Sequence, residues 1–525
     1  MLDEDRVITR DTTTEPIPVA VVDIGTTAIR MAIAEITTDG QVTPLETLAQ
    51  AVSLGRDTFT KGEIRKSTIE DCVGILKSYR QILSEYRINR PERIRIVATS
   101  AVREASNRLA FLDRIYSATG LAVEPIDEAE VNRITYLSIQ PLLTKEESTS
   151  SLPTIIVEVG GGSTEVLLVQ GADVLYAHTY RLGSIRLKQM LGKYRAPQIN
   201  LRRIMESQIE RTIEELSQHI PEGQVEMIAL GGDVRCAAAQ LLPDWSRENL
   251  ARLPVSKLRD FTDEMLSLTT DELVQKYHLT YPDAETLGPA LLAYLKLAES
   301  LNLEQVLVSG VNLRDGLLQE FAGHGLWTDD FNKQITQSAL VLGRKFRFDE
   351  KHAVHVAELC RALFHALQEE HELPARYEHI LHVAALLHEV GLFIGNAGYH
   401  KHSMYIIRNS ELFGLGKADL LLVGLVARYH RRASPKPNHD GYNSLNRDQR
   451  IAVSKMAALL RVADALDDSH SCRVNEIRCA REKGTLVISV PEVHDLSLEQ
   501  LALQQKGSMF EEVFGMKVFL RPIPN

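Results

Sequence analysis

A short pattern that occurs twice places the strongest limit on what this chain can fold into. Residues 19–36 read VAVVDIGTTAIRMAIAEI, and residues 154–171 read TIIVEVGGGSTEVLLVQG. Each stretch contains an apolar run, an acidic residue, a glycine turn with hydroxyl side chains, and a second apolar run. Apolar runs around a glycine turn are typical of β-hairpins. The repetition therefore predicts two α/β halves that begin on the same plan.

The remaining sequence extends this division to four predicted domains. Residues 1–140 and 150–328 alternate strand and helix patterns, and a polar, Ser/Thr-rich segment at 141–153 reads as a linker between them. Residues 329–471 carry long helical patterns and most of the histidines. Residues 472–525 regain strand character around one helix, which predicts a small α+β domain. The chain has 525 residues, too many for a single hydrophobic core.

Composition limits the function and the compartment. The formal net charge of -11 argues against a general nucleic-acid binder. No apolar run approaches the roughly 18 residues that a membrane helix needs, so no membrane partner is predicted. The acidic N-terminus has no apolar signal region, and the five cysteines are scattered without a CxxC pair. We therefore expect a cytoplasmic protein without a disulfide framework.

The acid and the glycines of each hairpin are the residue types that a phosphate site requires. Glycine lets a turn adopt a positive φ or approach a ligand closely, and successive backbone N–H groups in such a turn bind anions. A carboxylate that ends a strand can hold hydrated Mg²⁺. We predict that Asp23 and Glu158 approach each other across a cleft and position Mg²⁺. The predicted phosphate-binding residues are Gly25, Thr26, Thr27, Gly160, Gly161, Gly162 and Ser163.

The two hairpins resemble the phosphate loops of the exopolyphosphatase/guanosine-pentaphosphate phosphatase (Ppx/GppA) family. Further stretches that resemble this family are ATSAVREASN, LRDGLL, LLHEVGLFIGNAGYHKHSMYIIRNSEL, RYHR and FEEVFGMKVFL. The resemblance covers nearly the whole chain. It implies two actin-like (ribonuclease H-like) α/β halves, an all-helical HD-like domain and a small α+β domain. It further implies a homodimeric hydrolase that releases terminal phosphate from inorganic polyphosphate or guanosine pentaphosphate.

One departure from the family pattern bears on catalysis. The catalytic glutamate of the family falls on Val131 in the stretch DEAEVNR. Because valine cannot accept a proton, the neighbouring Glu130 is the predicted base. Glu158 would position Mg²⁺ and Arg103 would balance charge in the same catalytic set. The departure leaves a second hypothesis open, in which the chain binds polyphosphate or a guanosine alarmone with weak or no catalysis.

The histidine-rich helices resemble an HD-type phosphohydrolase domain. The resemblance implies a transition-metal site, and the candidate ligands are His352, His388, Glu389, His402, His430 and Asp464. Imidazole and carboxylate together suit first-row transition metals. The alternative is that these histidines are ordinary packed residues, as we expect for the others in the region. A third hypothesis follows, in which the HD-like domain is a metal-dependent phosphohydrolase.

Overall fold

The computed structural model describes residues 16–143, 152–171, 173–192, 198–323, 329–431 and 433–523. These residues form two compact units. The first unit contains the described residues between 16 and 171 and between 178 and 323, and the second contains 173–177 and those between 329 and 523. The four-domain division is finer than this and stays a prediction. No helix in the described ranges is both long and apolar enough to cross a membrane.

The first half of the first unit is a five-stranded sheet with helices on both faces. Its strands are β1 (Ile17–Ile24), β2 (Ala28–Ile36), β3 (Val42–Ala51), β4 (Ile94–Ala98) and β5 (Glu124–Pro125). Its helices are α1 (Leu54–Lys61), α2 (Lys66–Glu85), α3 (Ser100–Arg103), α4 (Arg108–Thr119) and α5 (Glu128–Leu143), with a 3₁₀ turn at Pro91–Arg93. The strand order is β3-β2-β1-β4-β5. Helix α5 includes the first residues of the predicted linker, and most of the rest lies outside the described ranges.

The second half of the unit repeats this arrangement. Its strands are β6 (Thr154–Val159), β7 (Thr164–Gln170), β8 (Asp173–Tyr180), β9 (Glu226–Leu230), β10 (Ala251–Pro254) and β11 (Gln305–Val308). The first part of β8, residues 173–177, is counted with the second unit. Its helices are α6 (Ser184–Gly192), α7 (Gln198–Ser217), α8 (Gly232–Leu241), α9 (Val255–Ser267), α10 (Thr270–Tyr277), α11 (Tyr281–Ser300) and α12 (Leu313–Ala322). Strand β6 pairs antiparallel with β7 and parallel with β9, as β1 pairs with β2 and β4. The predicted repeat of two α/β halves is confirmed.

Both faces of the central strand β1 are buried, because successive side chains of a strand point to opposite sides of the sheet. On one face, Val22 and Ile24 share a core with Leu76 of α2 and Phe111 of α4. On the other face, Val21 belongs to a separate core that includes residues of α5 and α12. A strand covered on both sides explains why the first hairpin reads as a continuous apolar run.

Helix α12 ends the second half of the unit but packs on the sheet of the first half. Leu317 and Leu318 are buried beside Val21 of β1 and Ile134 of α5. A Cβ atom at Gly316 would lie 2.1 Å from the carbonyl oxygen of Ile134. The backbones of α5 and α12 therefore approach more closely than any larger residue would allow, and this crossing ties the two halves together.

A network of two arginines and two glutamates borders the same crossing. Arg133 donates to Glu130 at 2.8 Å and to Glu320 of α12 at 2.7 Å. Arg95 of β4 donates to Glu130 at 2.9 Å and also to Glu320. The Arg133 side chain is only 3% exposed, so the carboxylates of Glu130 and Glu320 stabilise its charge in place of water.

The second unit is mainly helical and ends in a three-stranded sheet. Its helices are α13 (Asp329–Lys345), α14 (Glu350–Ala366), α15 (Gln368–His371), α16 (Arg376–Leu387), α17 (Tyr399–Arg408), α18 (Lys417–Tyr429), α19 (Arg447–Leu466), α20 (Ser497–Lys506) and α21 (Ser508–Phe514), with 3₁₀ turns at Val390–Phe393 and Tyr442–Ser444. Its strands β12 (Arg478–Glu482), β13 (Thr485–Pro491) and β14 (Lys517–Ile523) form a sheet of that order. The predicted helical segment followed by strands is observed. The single helix expected in the last segment is two helices, which meet at Gly507.

Replacing Gly316 by alanine should destabilise the first unit. The added methyl group would force α5 and α12 apart, and overpacking of this kind costs about 1–3 kcal/mol of unfolding free energy. Gly323→Ala, near the end of the same helix, is the matched control, because its Cβ would meet no atom closer than 3.5 Å. Urea unfolding of the variants measures the difference. Equal stability of the two variants would contradict the importance of the crossing.

Candidate active site

The turns of the two hairpins have the same backbone geometry. In the first turn the Gly25 N–H donates to the Ala28 carbonyl at 3.0 Å, and in the second the Gly160 N–H donates to the Ser163 carbonyl at 2.8 Å. Asp23 and Glu158 occupy equivalent positions before these glycines. Across each hairpin, Asp23 pairs with Arg30 and Glu158 pairs with Glu165. The repeat in the sequence is therefore also a repeat in the structure. The difference is that the first hairpin has a basic residue, Arg30, where the second has the acidic Glu165.

The two turns contact each other. A Cβ atom at Gly161 would lie 2.4 Å from the Thr26 hydroxyl oxygen, and one at Gly162 would lie 2.4 Å from the ring of Phe59. A Cβ atom at Gly183, before α6, would lie 2.4 Å from the carbonyl oxygen of Gly161. None of these three glycines has a φ in the left-handed region. Close approach, and not a positive φ, is the reason that the second loop needs glycine.

Asp23 and Glu158 line one cleft of about 500 Å³ between the two halves, as predicted from the sequence. Burial raises the pKa of Asp23 against the opposing influence of Arg30 and Arg314. Burial also raises the pKa of Glu158, and the charge of Asp23 adds to the effect. The Oδ1 atom of Asp23 is buried and has no hydrogen-bond partner within the part of the chain that the structure describes. Two close, desolvated carboxylates favour a bound cation.

Five arginines line the same cleft. Arg103 was predicted from the sequence, and it donates to the Ile126 carbonyl at 2.9 Å. The four that were not predicted are Arg30, Arg235, Arg247 and Arg314. A guanidinium nitrogen of Arg314 lies 3.7 Å from the Asp23 carboxylate, and burial lowers the pKa of both Arg235 and Arg314. The hairpin register could have indicated Arg30, but the other three come from distant segments.

Glu165 is one titratable group of the cleft that the sequence analysis missed. It lines the cleft, its residue is only 8% exposed, and it accepts a hydrogen bond from the Ser163 hydroxyl at 2.6 Å. Burial and the charge of Glu158 raise the pKa of Glu165 to about 7. Such a carboxyl group exchanges a proton near neutral pH, which general acid–base catalysis requires. The sequence could have indicated Glu165, because the predicted hairpin places it opposite Glu158.

The geometry does not support the predicted role of Glu130. Both of its carboxylate oxygens accept hydrogen bonds from Arg133 or Arg95, and it is not among the residues that line the cleft. Burial would raise the pKa of Glu130, but the two arginines hold it below its ordinary value. Val131 does line the cleft, at the position where the family resemblance places a glutamate. The Glu130 side chain points to the arginines of the ion network and not into the cleft. Its role is therefore to stabilise the crossing of α5 and α12.

The cleft lining also contains apolar and acidic residues. It includes Trp245, Leu279 and Leu287 together with Asp283 and the basic residue Arg247. The Trp245 indole N–H donates to the Asn249 carbonyl at 2.9 Å, which fixes the ring. Asp233, also in the lining, accepts a hydrogen bond from Thr286 at 2.9 Å, and burial raises its pKa to about 7. The cleft thus combines glycine-rich turns and arginines with an indole ring, aliphatic side chains and carboxyl groups.

The second unit contains a separate cluster of histidines and carboxylates. Of the predicted ligands, His352, His388, Glu389 and Asp464 converge there. His402 and His430 belong to neither of the two ligand groups found among the described residues. His430 is buried and its Nε2 atom lies 3.0 Å from the hydroxyl of Tyr399, which accounts for it as a packed residue. His470 joins the cluster and was not predicted.

Two halves of equal topology, with a phosphate-type turn from each meeting at one cleft, define an actin-like, phosphate-handling class of protein. The chain belongs to the Ppx/GppA phosphatase family, whose model matches residues 32–324. A second model, for domain III of the Ppx/GppA phosphatases, matches residues 336–506.

Similar proteins agree with this assignment. The guanosine-5'-triphosphate,3'-diphosphate pyrophosphatase of Photobacterium profundum is 23% identical over 446 residues, which cover 84% of this chain and 86% of that protein. The crystal structure of an exopolyphosphatase from Cytophaga hutchinsonii matches with a TM-score of 0.54 and 20% identity. It covers 59% of this chain and 99% of that one. An exopolyphosphatase-like protein matches with a TM-score of 0.53 and the same identity and coverage. These structures support the fold.

Substituting Gly161 by valine should abolish phosphate binding in a folded protein. The new side chain would collide with Thr26 and Ile185 and would separate the two turns. Gly74→Val is the matched control, because nothing lies within 4 Å of a Cβ atom at this exposed helix position. Calorimetric titration with tripolyphosphate measures binding, and circular dichroism checks folding. Unchanged binding in a folded Gly161→Val variant would exclude the loops as the phosphate site.

Proposed function

We propose that this chain hydrolyses the terminal phosphoanhydride bond of inorganic polyphosphate or guanosine pentaphosphate in the cleft of the first unit. The observation that carries the proposal is the meeting of the two phosphate-type turns in a cleft lined by a pair of carboxylates and five arginines. The relatives named above include a guanosine-5'-triphosphate,3'-diphosphate pyrophosphatase and an exopolyphosphatase, which agrees with this reaction class.

The terminal phosphate would lie between the two turns. The Gly25 and Gly160 N–H groups close their own turns, so the backbone N–H groups that would bind its oxygens are those of Thr26 and from Gly161 to Ser163. The nearby arginines would neutralise its charge. Phosphoryl transfer depends mostly on positioning and on stabilising the charge of the transition state. Because the arginines are held in a desolvated cleft, each interacts with phosphate more strongly than it would in water.

The carboxylates fit a magnesium ion. Asp23 has a buried oxygen without a hydrogen-bond partner among the described residues, and Glu158 is buried beside it. Carboxylate oxygens are the ligands that Mg²⁺ prefers, and the ion is commonly held by one or two of them together with substrate phosphates. When bound, Mg²⁺ would neutralise negative charge on the phosphate chain. Asp23 and Glu158 are the residues that would hold it.

Glu165 is the proposed general base in place of Glu130. It can accept a proton from the attacking water, since it lies in the cleft and its pKa is about 7. The Ser163 hydroxyl orients its carboxylate from within the second loop. The base is thus supplied by β7, the strand that pairs with the strand of Glu158.

Glu165→Gln should lower kcat by about a hundred- to ten-thousand-fold, because it removes general-base assistance. Glu130→Gln is the matched comparison, and it should leave kcat nearly unchanged while lowering stability. In the natural protein, phosphate release should rise with pH through about 7, since Glu165 is protonated below that pH and ionised above it. Release of phosphate from polyphosphate measures each rate. Rapid turnover by Glu165→Gln would exclude Glu165 as the base.

Experiment can distinguish the second hypothesis, a binding protein with weak or no catalysis, from the proposed hydrolase. It is favoured by Val131, because the cleft has an aliphatic side chain where the family resemblance places a carboxylate. Tight tripolyphosphate binding together with no phosphate release from polyphosphate or guanosine pentaphosphate, with and without added Mg²⁺, would decide for it. Phosphate release that depends on Glu165 would decide against it.

Trp245 is the lining residue that favours guanosine pentaphosphate over linear polyphosphate. An indole ring can stack on a base, and carboxylates such as Asp283 accept hydrogen bonds from the ring N–H and amino groups of guanine. Leu279 and Leu287 would contribute nothing to binding a phosphate chain, whereas Arg247 would suit the phosphates of either substrate. A ligand with both phosphates and a base therefore uses more of this lining than a phosphate chain does.

Trp245→Ala should weaken the use of guanosine pentaphosphate but not of polyphosphate. Loss of one base-stacking contact costs about 1–3 kcal/mol, so kcat/KM for the nucleotide should fall roughly five- to a hundred-fold. The polyphosphate rate of the same preparation is the internal control for folding and for the catalytic groups. Equal losses with both substrates would contradict a base-binding role for Trp245.

A further inference from the structure

A tyrosine hydroxyl interrupts the hydrogen bonds between two strands of the second sheet. Tyr294 lies on α11 and is 0% exposed. Its hydroxyl oxygen accepts a hydrogen bond from the Val159 N–H at 2.7 Å and donates its own hydrogen to the Leu230 carbonyl. Val159 ends β6 and Leu230 ends β9, and these two strands are neighbours in the sheet. The hydroxyl therefore bridges the two strands at their carboxyl ends.

The first half of the unit shows what this bridge replaces. There β1 and β4 remain paired through Ile24 and Ala98, and the Thr99 N–H donates to the Ile24 carbonyl at 3.2 Å. In the second half the register of β6 and β9 ends one pair earlier, at Glu158 and Leu230. Parallel strands normally join their N–H and carbonyl groups directly. The inserted hydroxyl therefore holds the ends of β6 and β9 further apart than a direct hydrogen bond would.

The two peptide groups that the Tyr294 hydroxyl bridges lead directly into the cleft. One joins Glu158 to Val159, and the other joins Leu230 to Gly231. Gly231 has a φ of +108°, and a Cβ atom there would lie 3.0 Å from the Tyr294 hydroxyl oxygen. Glu158 and Gly231 line the cleft, whereas Tyr294 is not among the described residues that line it. Any effect of Tyr294 on a bound ligand must therefore pass through these backbone groups.

We propose that Tyr294 is a positioning residue that orients Glu158 toward a bound Mg²⁺ ion. The inference rests on the function proposed for the cleft, in which Asp23 and Glu158 hold the ion. Hydrogen bonds behind a metal ligand fix its direction, and here the bond is made to the peptide group of the ligand's own residue. Without the hydroxyl, the N–H group of Val159 and the carbonyl of Leu230 would lose their partner. The strand ends would then be free to pair directly, and Glu158 would turn with its peptide plane.

A purely structural role for this hydroxyl is the alternative, since a buried tyrosine usually finds a hydrogen-bond partner. Removal of the hydroxyl would then lower stability and leave Mg²⁺ binding unchanged. Tyr79 of α2 offers a matched comparison, because it is 1% exposed and its hydroxyl donates to the Ile29 carbonyl at 2.9 Å. Tyr79 is also not among the described residues that line the cleft. Loss of the hydroxyl at each of the two positions therefore separates positioning from stability.

Mg²⁺ binding by the free protein tests the inference without an activity assay. Full-length natural protein, Tyr294→Phe and Tyr79→Phe are titrated with Mg²⁺ by calorimetry, and Asp23→Asn identifies the heat that belongs to the cleft. We expect Tyr294→Phe to bind Mg²⁺ about 10–100-fold more weakly, as is typical when a hydrogen bond behind a metal ligand is lost. Tyr79→Phe should bind Mg²⁺ like the natural protein, and both variants should still bind tripolyphosphate without Mg²⁺. Unchanged Mg²⁺ affinity in folded Tyr294→Phe, or an equal loss in Tyr79→Phe, overturns the inference alone. Failure of the natural protein to bind Mg²⁺ removes the proposed role of Asp23 and Glu158, and the inference with it.

A second variant covers the case in which Tyr294→Phe fails to fold. Tyr294→4-aminophenylalanine, introduced by amber suppression, keeps the ring and returns a polar N–H group to the place of the hydroxyl. We expect its Mg²⁺ affinity to lie within about five-fold of the natural value, because the bridge is altered but not lost. A loss of about ten-fold or more in this folded variant, as large as that expected for a missing bridge, overturns the inference.

Discussion

The close crossing of α5 and α12 is the contact on which the architecture of the first unit depends. Gly316 allows the backbone of α12 to approach the carbonyl of Ile134, and Leu317 and Leu318 are then buried on the first sheet. Full burial of a leucine contributes about 1.5–3 kcal/mol, so this small interface is a substantial part of what joins the halves. The four-residue ion network beside it orients α5 and α12 more than it stabilises the fold, since buried ion pairs contribute little net free energy of folding.

This crossing has a direct consequence for the cleft. Because the last helix of the second half is attached to the first sheet, the turn after β1 and the turn after β6 must meet at the same place. Thr26 and Gly161 are in contact there, and only glycine fits at Gly161 and Gly183. The equivalence of the two hairpins brings Asp23 and Glu158 together, although two desolvated carboxylates repel. Arg30, Arg235 and Arg314 offset that repulsion in the free protein, and a cation with phosphate would offset it further.

The two units use different ligand chemistry. The cleft presents carboxylates, backbone N–H groups and guanidinium groups, which suit phosphate and a hard cation. The cluster of the second unit presents imidazoles whose tautomers are set by Asp467 and by a backbone carbonyl. Both places contain buried polar atoms that have no hydrogen-bond partner among the described residues, at Asp23 in one and at His352 and His388 in the other. Such atoms are costly when neither water nor a ligand reaches them.

The sequence by itself determined the repeated hairpins, the two α/β halves, the helical region and the presence of Asp23 and Glu158 in one cleft. These follow from local patterns, because strand alternation, glycine turns and helix periodicity are set by neighbours in the chain. It did not determine which way Glu130 points, since α5 exposes adjacent residues on different faces and only packing shows that Val131 faces the cleft. Arg235, Arg314 and Trp245 reach the cleft from segments far apart, and His470 reaches His352 across a turn after α19. Only the tertiary structure decides such contacts, because they depend on how whole elements pack and on where the remaining buried charges find partners.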